Sequence, residues 1–426
     1  MKFYSTRDAS RKLFTLADAS FLGLAPDGGL FVPERIPQVD MERVQRLAAV
    51  SYADMAGYLA GVIFDDVPAN VIDEVVRSAY DFDIGFHWFG SRKAALELFH
   101  GPTFAFKDFG ARFMGRMTGR LNTTDNLTIL TATSGDTGSA VAGGFYNVPG
   151  VDVVILYPDG KVSPLQEAQM TTLGGNIHPL RVRGNFDDCQ RLVKAMFNDA
   201  DLRSRKRITS ANSINLLRWI PQSFYYFYAY CLWAREHSGA PEIVVPSGNY
   251  GNITAGMLAA RMGMPVKRFI AASNANDVVP EFLLTGNYRP RASVRTVANA
   301  MDVGAPSNYE RMMWLYGDVE TLRREVAGFS ATDAEILDAI REIEEKYGYV
   351  SDPHSAVGYL AAKHYDIDGF WLSTASPAKF GEVIEKAVGH WPEIPAALRD
   401  RMEKERVYTM MDASEANLKD YLLSLS

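Results

Sequence analysis

Glu242-Ile243-Val244-Val245-Pro246-Ser247-Gly248-Asn249-Tyr250-Gly251-Asn252, running into a helical pattern over 253–261, is the stretch that decides the fold. Four residues of β-rich apolar text break at a polar, glycine-containing turn, and the period then changes to that of a helix. The same unit occurs upstream. Leu127-Thr128-Ile129-Leu130-Thr131 leads into Ser134-Gly135-Asp136-Thr137-Gly138-Ser139 and then Ala140-Val141-Ala142. Further short apolar runs at 151–157, 268–272 and 370–372 alternate with helix-like text. Short apolar strands suit a parallel sheet covered on both faces. Their alternation with helices predicts a doubly wound α/β architecture. Ligands of such sheets gather at the carboxyl ends of the strands, so the loops after them are where chemistry is expected.

Both loops set glycines and small polar residues at a helix N-terminus. There, unpaired N–H groups and the helix dipole attract an anion, and glycine lets the backbone approach it. Ordinary capping is the plain alternative, since Ser, Asp and Asn favour N-caps. Two such loops imply two anionic groups, or one ligand with two ends.

Phe104-Ala105-Phe106-Lys107-Asp108-Phe109 places a lysine among three phenylalanines. An apolar pocket lowers an amine's pKa and makes it nucleophilic, which is how a lysine forms a Schiff base with an aldehyde cofactor. The alternative is a lysine snorkelling from a half-buried helix. Lys161 and Ser163 follow the run at 151–157 and could hold an oxyanion or line a solvated loop. Asn212-Ser213-Ile214-Asn215-Leu216-Leu217-Arg218 is amide-rich and ends in a cation. Ser351-Asp352-Pro353-His354 reads as a helix start, with Asp352 as N-cap and Pro353 in the first turn. The run at 370–372 ends in Ser373-Thr374, whose hydroxyls could meet a heterocycle nitrogen or simply form a turn.

The chain has 426 residues, of which 47% are hydrophobic and 22% charged, and carries a formal net charge of -7. That composition excludes disordered and low-complexity classes and predicts two or three domains. Mild acidity argues against nucleic acid, which needs a basic face. Cys189 and Cys231 form no disulfide framework and are expected as buried small apolar residues of a cytoplasmic protein. No signal peptide precedes the first charges, and the aromatic run at 224–234 would span about 16 Å against about 30 Å for a bilayer core, so no membrane is expected. There is no His-Glu-x-x-His, Cys-x-x-Cys, P-loop or Gly-x-Gly-x-x-Gly, so neither a metal nor a dinucleotide is expected.

Taken together and in order, these words resemble the threonine synthase family, in the form found in bacteria and fungi. The resemblance runs from Gly28-Gly29-Leu30-Phe31-Val32-Pro33, through His100-Gly101-Pro102-Thr103 and the Lys107 segment, to 373–380. It also takes in Ser163-Pro164-Leu165-Gln166-Glu167, Ser210-Ala211-Asn212 and Asp352-Pro353-His354-Ser355-Ala356-Val357. The resemblance implies an α/β enzyme of fold type II, related to the tryptophan synthase β chain. Two doubly wound open-sheet lobes close over pyridoxal 5'-phosphate. The implied regions are an N-terminal threonine-synthase domain over 1–90, a catalytic core over 91–385 with a smaller lobe within 110–215, and a helical tail over 386–426.

By motif position, Lys107 is the implied Schiff-base lysine and catalytic residue. Gly248, Asn249, Tyr250, Gly251 and Asn252 form the cofactor-phosphate loop. Thr374 is the partner of the pyridine nitrogen, and Asp136 faces the ring hydroxyl. Ser134, Gly135 and Thr137 meet the substrate carboxylate. Lys161, Ser163, Ser213, Asn215 and Arg218 are the candidates for the substrate side, chiefly its phosphate. The implied reaction converts O-phospho-L-homoserine and water to L-threonine and phosphate, the last step of threonine biosynthesis, in a monomer, with a dimer as the alternative. Two rivals are a serine or threonine dehydratase of the same fold and a non-catalytic phosphometabolite-binding relative.

Overall fold

The computed structural model describes residues 1–123 and 127–425. The chain divides into two compact units, each assembled from separate stretches. One comprises Met1, 32–106 and 219–393; the other comprises 2–31, 107–218 and 394–426. The first ninety residues therefore contribute to both. Their helices Met41–Ala48, Tyr52–Ile63 and Ala69–Ala79 belong to the first unit, while Leu16–Leu22 belongs to the second.

The first unit is built on six strands in the order Val326–Ser330, Arg268–Ser273, Glu242–Pro246, Gly369–Ser373, Lys93–Glu97, Gly85–Trp88. All neighbours are parallel except the last pair, an antiparallel hairpin. The central strands are apolar between their first and last residues and fully buried, as a sheet covered on both faces requires. Ile336, Ile340 and Ile343 of the helix Asp333–Tyr347 and Val357 and Ala361 of the helix Pro353–His364 close one face. After Glu242–Pro246 the chain proceeds to the strand on one side. The strand on its other side, Gly369–Ser373, comes more than a hundred residues later. The order reverses between these two, which makes their carboxyl ends the switch point of the sheet.

Among its described residues, the second unit has five parallel strands in the order Thr409–Asp412, Ile177–Arg183, Val151–Pro158, Leu127–Ala132, Arg207–Thr209. Its switch point lies between Leu127–Ala132 and Arg207–Thr209 by the same logic. Helices Lys107–Leu121 and Asp136–Phe145 pack unusually close. A Cβ at Gly115 would lie 2.1 Å from the Gly144 carbonyl oxygen, so only glycine permits this spacing.

The tail is helical over Ala396–Met402 and Glu415–Ser424, but Thr409–Asp412 is a strand rather than helix. It pairs Met411 with Val182 along the edge of the second sheet. Three of its four residues are exposed, so hydropathy gave no sign of it. Both cysteines are buried, and burial pushes their thiols up to about 12. Among the described residues, no helix is long and apolar enough to cross a membrane.

Candidate active site

In the first unit, the strand Glu242–Pro246 ends in the loop 247–250, and Tyr250 takes a left-handed conformation at φ 59°. The helix Gly251–Arg261 starts there with no side-chain cap, leaving its first N–H groups to whatever the loop holds. The loop is fixed from behind. Ser307 N–H donates to Asn249 Oδ1 at 2.7 Å, and Asn308 Nδ2 donates to the Asn249 carbonyl at 3.0 Å. Arg311 donates to Asn308 at 2.9 Å and lies 4.2 Å over the Trp219 ring. Burial pulls its guanidinium down to about 9, against the opposing pull of Glu310. Tyr225 and Tyr226 hydroxyls both donate to Asn252 Oδ1, at 2.6 and 2.7 Å. Two donors on one oxygen fix the amide's orientation. Its Nδ2 is buried and has no partner among the described residues.

Across the same switch point, Thr374 follows Gly369–Ser373 and is 5% exposed. A short antiparallel contact runs here. Phe106 N–H donates to the Thr374 carbonyl at 2.8 Å, Ala105 bridges Ala375, and Ser376 N–H donates to the Phe104 carbonyl at 3.0 Å. Lys379 Nζ closes the end of this contact by donating to the Thr103 carbonyl at 2.8 Å. The backbone just before Lys107 is thereby anchored to the backbone of Thr374.

In the second unit, Lys107 is the first residue of the helix Lys107–Leu121, and its Nζ lies 4.0 Å from Asp136 Oδ2. Asp136 begins the helix Asp136–Phe145 and is 5% exposed. Its other oxygen accepts from Gln166 Nε2 at 2.9 Å. Gln166 is in turn the third residue of the helix Pro164–Thr171 and closes a capping box whose N-cap is Ser163. Hydrogen bonds thus run from Ser163 through Gln166 to Asp136, whose other oxygen faces the lysine across 4.0 Å. Thr133 Oγ1 accepts from Gly135 and Gly138 N–H and folds the loop holding Ser134 and Thr137. Thr131 Oγ1 donates to Asn212 at 2.8 Å and ties the strand that leads into this loop to the amide-rich segment 212–218.

The remaining candidates sit apart by exposure. Lys161 is exposed, while Ser213 is half-buried. Asn215 is fully buried, with its amide on the carbonyls of Ser20 and Ser210. Arg218 is 3% exposed and donates to the Ala211 carbonyl at 2.8 Å. Burial pulls its guanidinium down to about 10, against the opposing charge of Asp108. Gln166, Asn308 and Arg311 carried no role in the sequence reading. Only Gln166 had a signal, the Ser-x-x-Gln spacing of a capping box.

In the first unit, the glycine loop and the orphan Asn252 amide nitrogen suit a phosphate group; in the second, the Lys107 amine suits an aldehyde. Residues 94–369 match the family model described as pyridoxal-phosphate dependent enzyme, which covers more than half the chain. Fold and site therefore define a pyridoxal phosphate enzyme. Residues 2–80 match the model of the threonine synthase N terminus, and 355–422 that of the threonine synthase C-terminal region. The chain is 42% identical to threonine synthase of Serratia marcescens and 41% identical to that of Escherichia coli K12, with full coverage of either sequence. PLP-bound threonine synthase of Brucella melitensis superposes with a TM-score of 0.94 at 35% identity over 99% of each chain. The Escherichia coli structure superposes with 0.92 at 40% identity over all of both chains. The chain belongs to the threonine synthase family, and it is a lyase dependent on pyridoxal phosphate. A fungal L-serine ammonia-lyase from Rhizomucor miehei, 15% identical with a TM-score of 0.56 over 72% of this chain, shares the fold alone.

Proposed function

We propose that the chain converts O-phospho-L-homoserine and water to L-threonine and phosphate. The observation that carries this reading is the pair of loops at the two switch points. Neither helix Asp136–Phe145 nor helix Gly251–Arg261 is capped by the side chain of its own N-cap residue, although Thr133 Oγ1 takes the Gly138 N–H of the former. Two such helix starts suit a reaction in which cofactor and substrate each bring an anion.

When bound, pyridoxal phosphate supplies an electron sink for negative charge developing beside the substrate amine. The loop 248–252 holds the phosphate of that group, and Thr374 meets its ring nitrogen. A hydroxyl cannot hold a proton on that nitrogen as a carboxylate would, which restrains the sink and disfavours transamination. Lys107 Nζ takes the substrate's α-proton and returns a proton at the end. Asp136 orients that amine and is itself oriented by Gln166. Ser134, Gly135 and Thr137 hold the substrate carboxylate.

Lys161, Ser163 and Ser213 are proposed for the substrate phosphate, with Asn215 and Arg218 shaping the loop from inside. Arg218→Ala is expected to raise KM for the phosphorylated substrate more than it disturbs cofactor absorbance. An unchanged KM would mean that Arg218 does not shape the substrate-phosphate loop. Release of inorganic phosphate from O-phospho-L-homoserine, compared with ammonia release from L-serine, tests the whole reading. Ammonia without phosphate would make the chain a dehydratase, and neither product would favour a non-catalytic relative. We further propose that the protein is cytoplasmic and acts as a monomer.

A further inference from the structure

Asp352 caps the helix Pro353–His364, and one carboxylate oxygen suffices for that task. Oδ1 accepts from the backbone N–H groups of His354 and Ser355. It also faces His354 Nδ1 at 2.8 Å. The other ring nitrogen, Nε2, accepts from Ala300 N–H at 3.1 Å, so the imidazole proton sits on Nδ1 and points at Asp352. Oδ2 is used differently and takes a hydrogen bond from the Ser355 hydroxyl. All three side chains are buried, Asp352 and Ser355 completely.

A carboxylate only accepts, so the single Ser355 proton is committed to Asp352 and its lone pairs point elsewhere. They receive the Thr374 N–H at 2.9 Å and the Ser373 hydroxyl at 3.2 Å. Thr374 N–H therefore donates to this serine, while its carbonyl accepts from Phe106 N–H. The residue is pinned on both sides of its α-carbon, on one side by a hydroxyl polarised by a buried charge. A solvated cap would need none of this. Ser355 stands third in the helix, where a capping box has a Glu or Gln reaching back to the N-cap backbone. Here it reaches across to the end of the neighbouring strand.

We propose that Ser355, held by the buried Asp352 carboxylate, is a positioning residue that sets Thr374 against the cofactor's ring nitrogen. The proposal rests on Thr374 being the partner of that nitrogen. Because Phe106 precedes Lys107, the same anchor steadies the backbone from which the lysine departs.

The test is a double-mutant cycle on the holoenzyme with Ser355→Ala and Thr374→Val. It reads the visible cofactor spectrum, the dissociation constant for pyridoxal phosphate, and kcat and KM separately. Ser355→Ala is expected to shift the visible spectrum and weaken cofactor binding about tenfold, the worth of one buried hydrogen bond. It is expected to lower kcat about tenfold to a hundredfold with KM little changed, as for a small misplacement of a reacting group. In a Thr374→Val background it should add little to any of these. Full additivity of the two substitutions would mean that Ser355 acts as packing only, and overturns the proposal. A spectrum and affinity moved by Thr374→Val but not by Ser355→Ala also overturn it, while leaving Thr374 in place. A spectrum and affinity unmoved by Thr374→Val overturn the role of Thr374 itself, and the proposal with it.

Discussion

Lys107→Ala is expected to leave a folded protein with turnover reduced at least about 10⁴-fold, the combined worth of an amine nucleophile and a positioned base. The fold should survive because the side chain is only partly buried, at 15% exposure, and heads its helix without serving as a cap. The backbone around it is held by other residues, from the Phe106 bond to Thr374 through the close packing of the following helix. Lys107→Arg keeps a positive charge near Asp136 but offers no amine to a carbonyl. It should be as inactive as the alanine variant. Borohydride treatment followed by mass measurement separates the roles. The parent protein should acquire a fixed cofactor adduct and both variants none. An adduct on Lys107→Ala would move the covalent role to another lysine.

Gly135→Ala is expected to lower kcat/KM about a hundredfold while lowering the melting temperature only modestly. Two independent obstacles meet at this position. Its φ is 140°, a conformation that costs a residue with a Cβ about 1–3 kcal/mol. The added carbon would also lie 2.4 Å from Gln166 Oε1 and 2.5 Å from its Cδ. Gln166 is a flexible side chain and can retreat, so the protein need not unfold. Retreat breaks its bond to Asp136 Oδ1, however, and with it the orientation of the carboxylate beside Lys107. Comparing Gly135→Ala with Gln166→Ala checks this route. The two should share most of their loss in kcat/KM, because both release Asp136. Unaltered kcat/KM in Gln166→Ala would confine the effect to backbone strain.

The five strands visible in the sequence were those buried along all or nearly all of their length: 127–131, 151–157, 242–245, 268–272 and 370–372. All five are present, each within a residue or two of its expected ends. The missed strands share physical reasons. Lys93–Glu97 is paired on both sides in its sheet, yet its letters, Lys-Ala-Ala-Leu-Glu, are helix formers, and tertiary burial of Ala94, Ala95 and Leu96 overrides that preference. Val326–Ser330 and Arg207–Thr209 are edge strands, too short or too exposed for a hydrophobic run. The candidate loops were legible because the rule that ligands sit beyond strand carboxyl ends needs only strand positions. Their supports were not. Arg311, Asn308 and Gln166 act through contacts between segments far apart in sequence, and no periodicity or spacing within one segment encodes such contacts. Asp352 is the instructive case. Its cap was visible from Asp-Pro alone, whereas the use of its second oxygen depends on Ser355 meeting a strand end that only the folded sheet brings close.

The tail strand bears on how the protein is made. Ile177–Arg183 acquires its outer neighbour only when Thr409–Asp412 has been synthesised. At ribosomal speeds of about 5–20 residues per second, that interval is on the order of 10–45 s. Through it, the nascent chain carries an open row of amide and carbonyl groups, the kind of template on which unfinished chains join one another. Ile177–Arg183 is poorly suited to such joining. Its seven residues include His178, Pro179, Arg181 and Arg183, a rigid imide and three side chains that can carry positive charge. The polar letters that hid this strand from a hydropathy reading are the ones that guard it during translation.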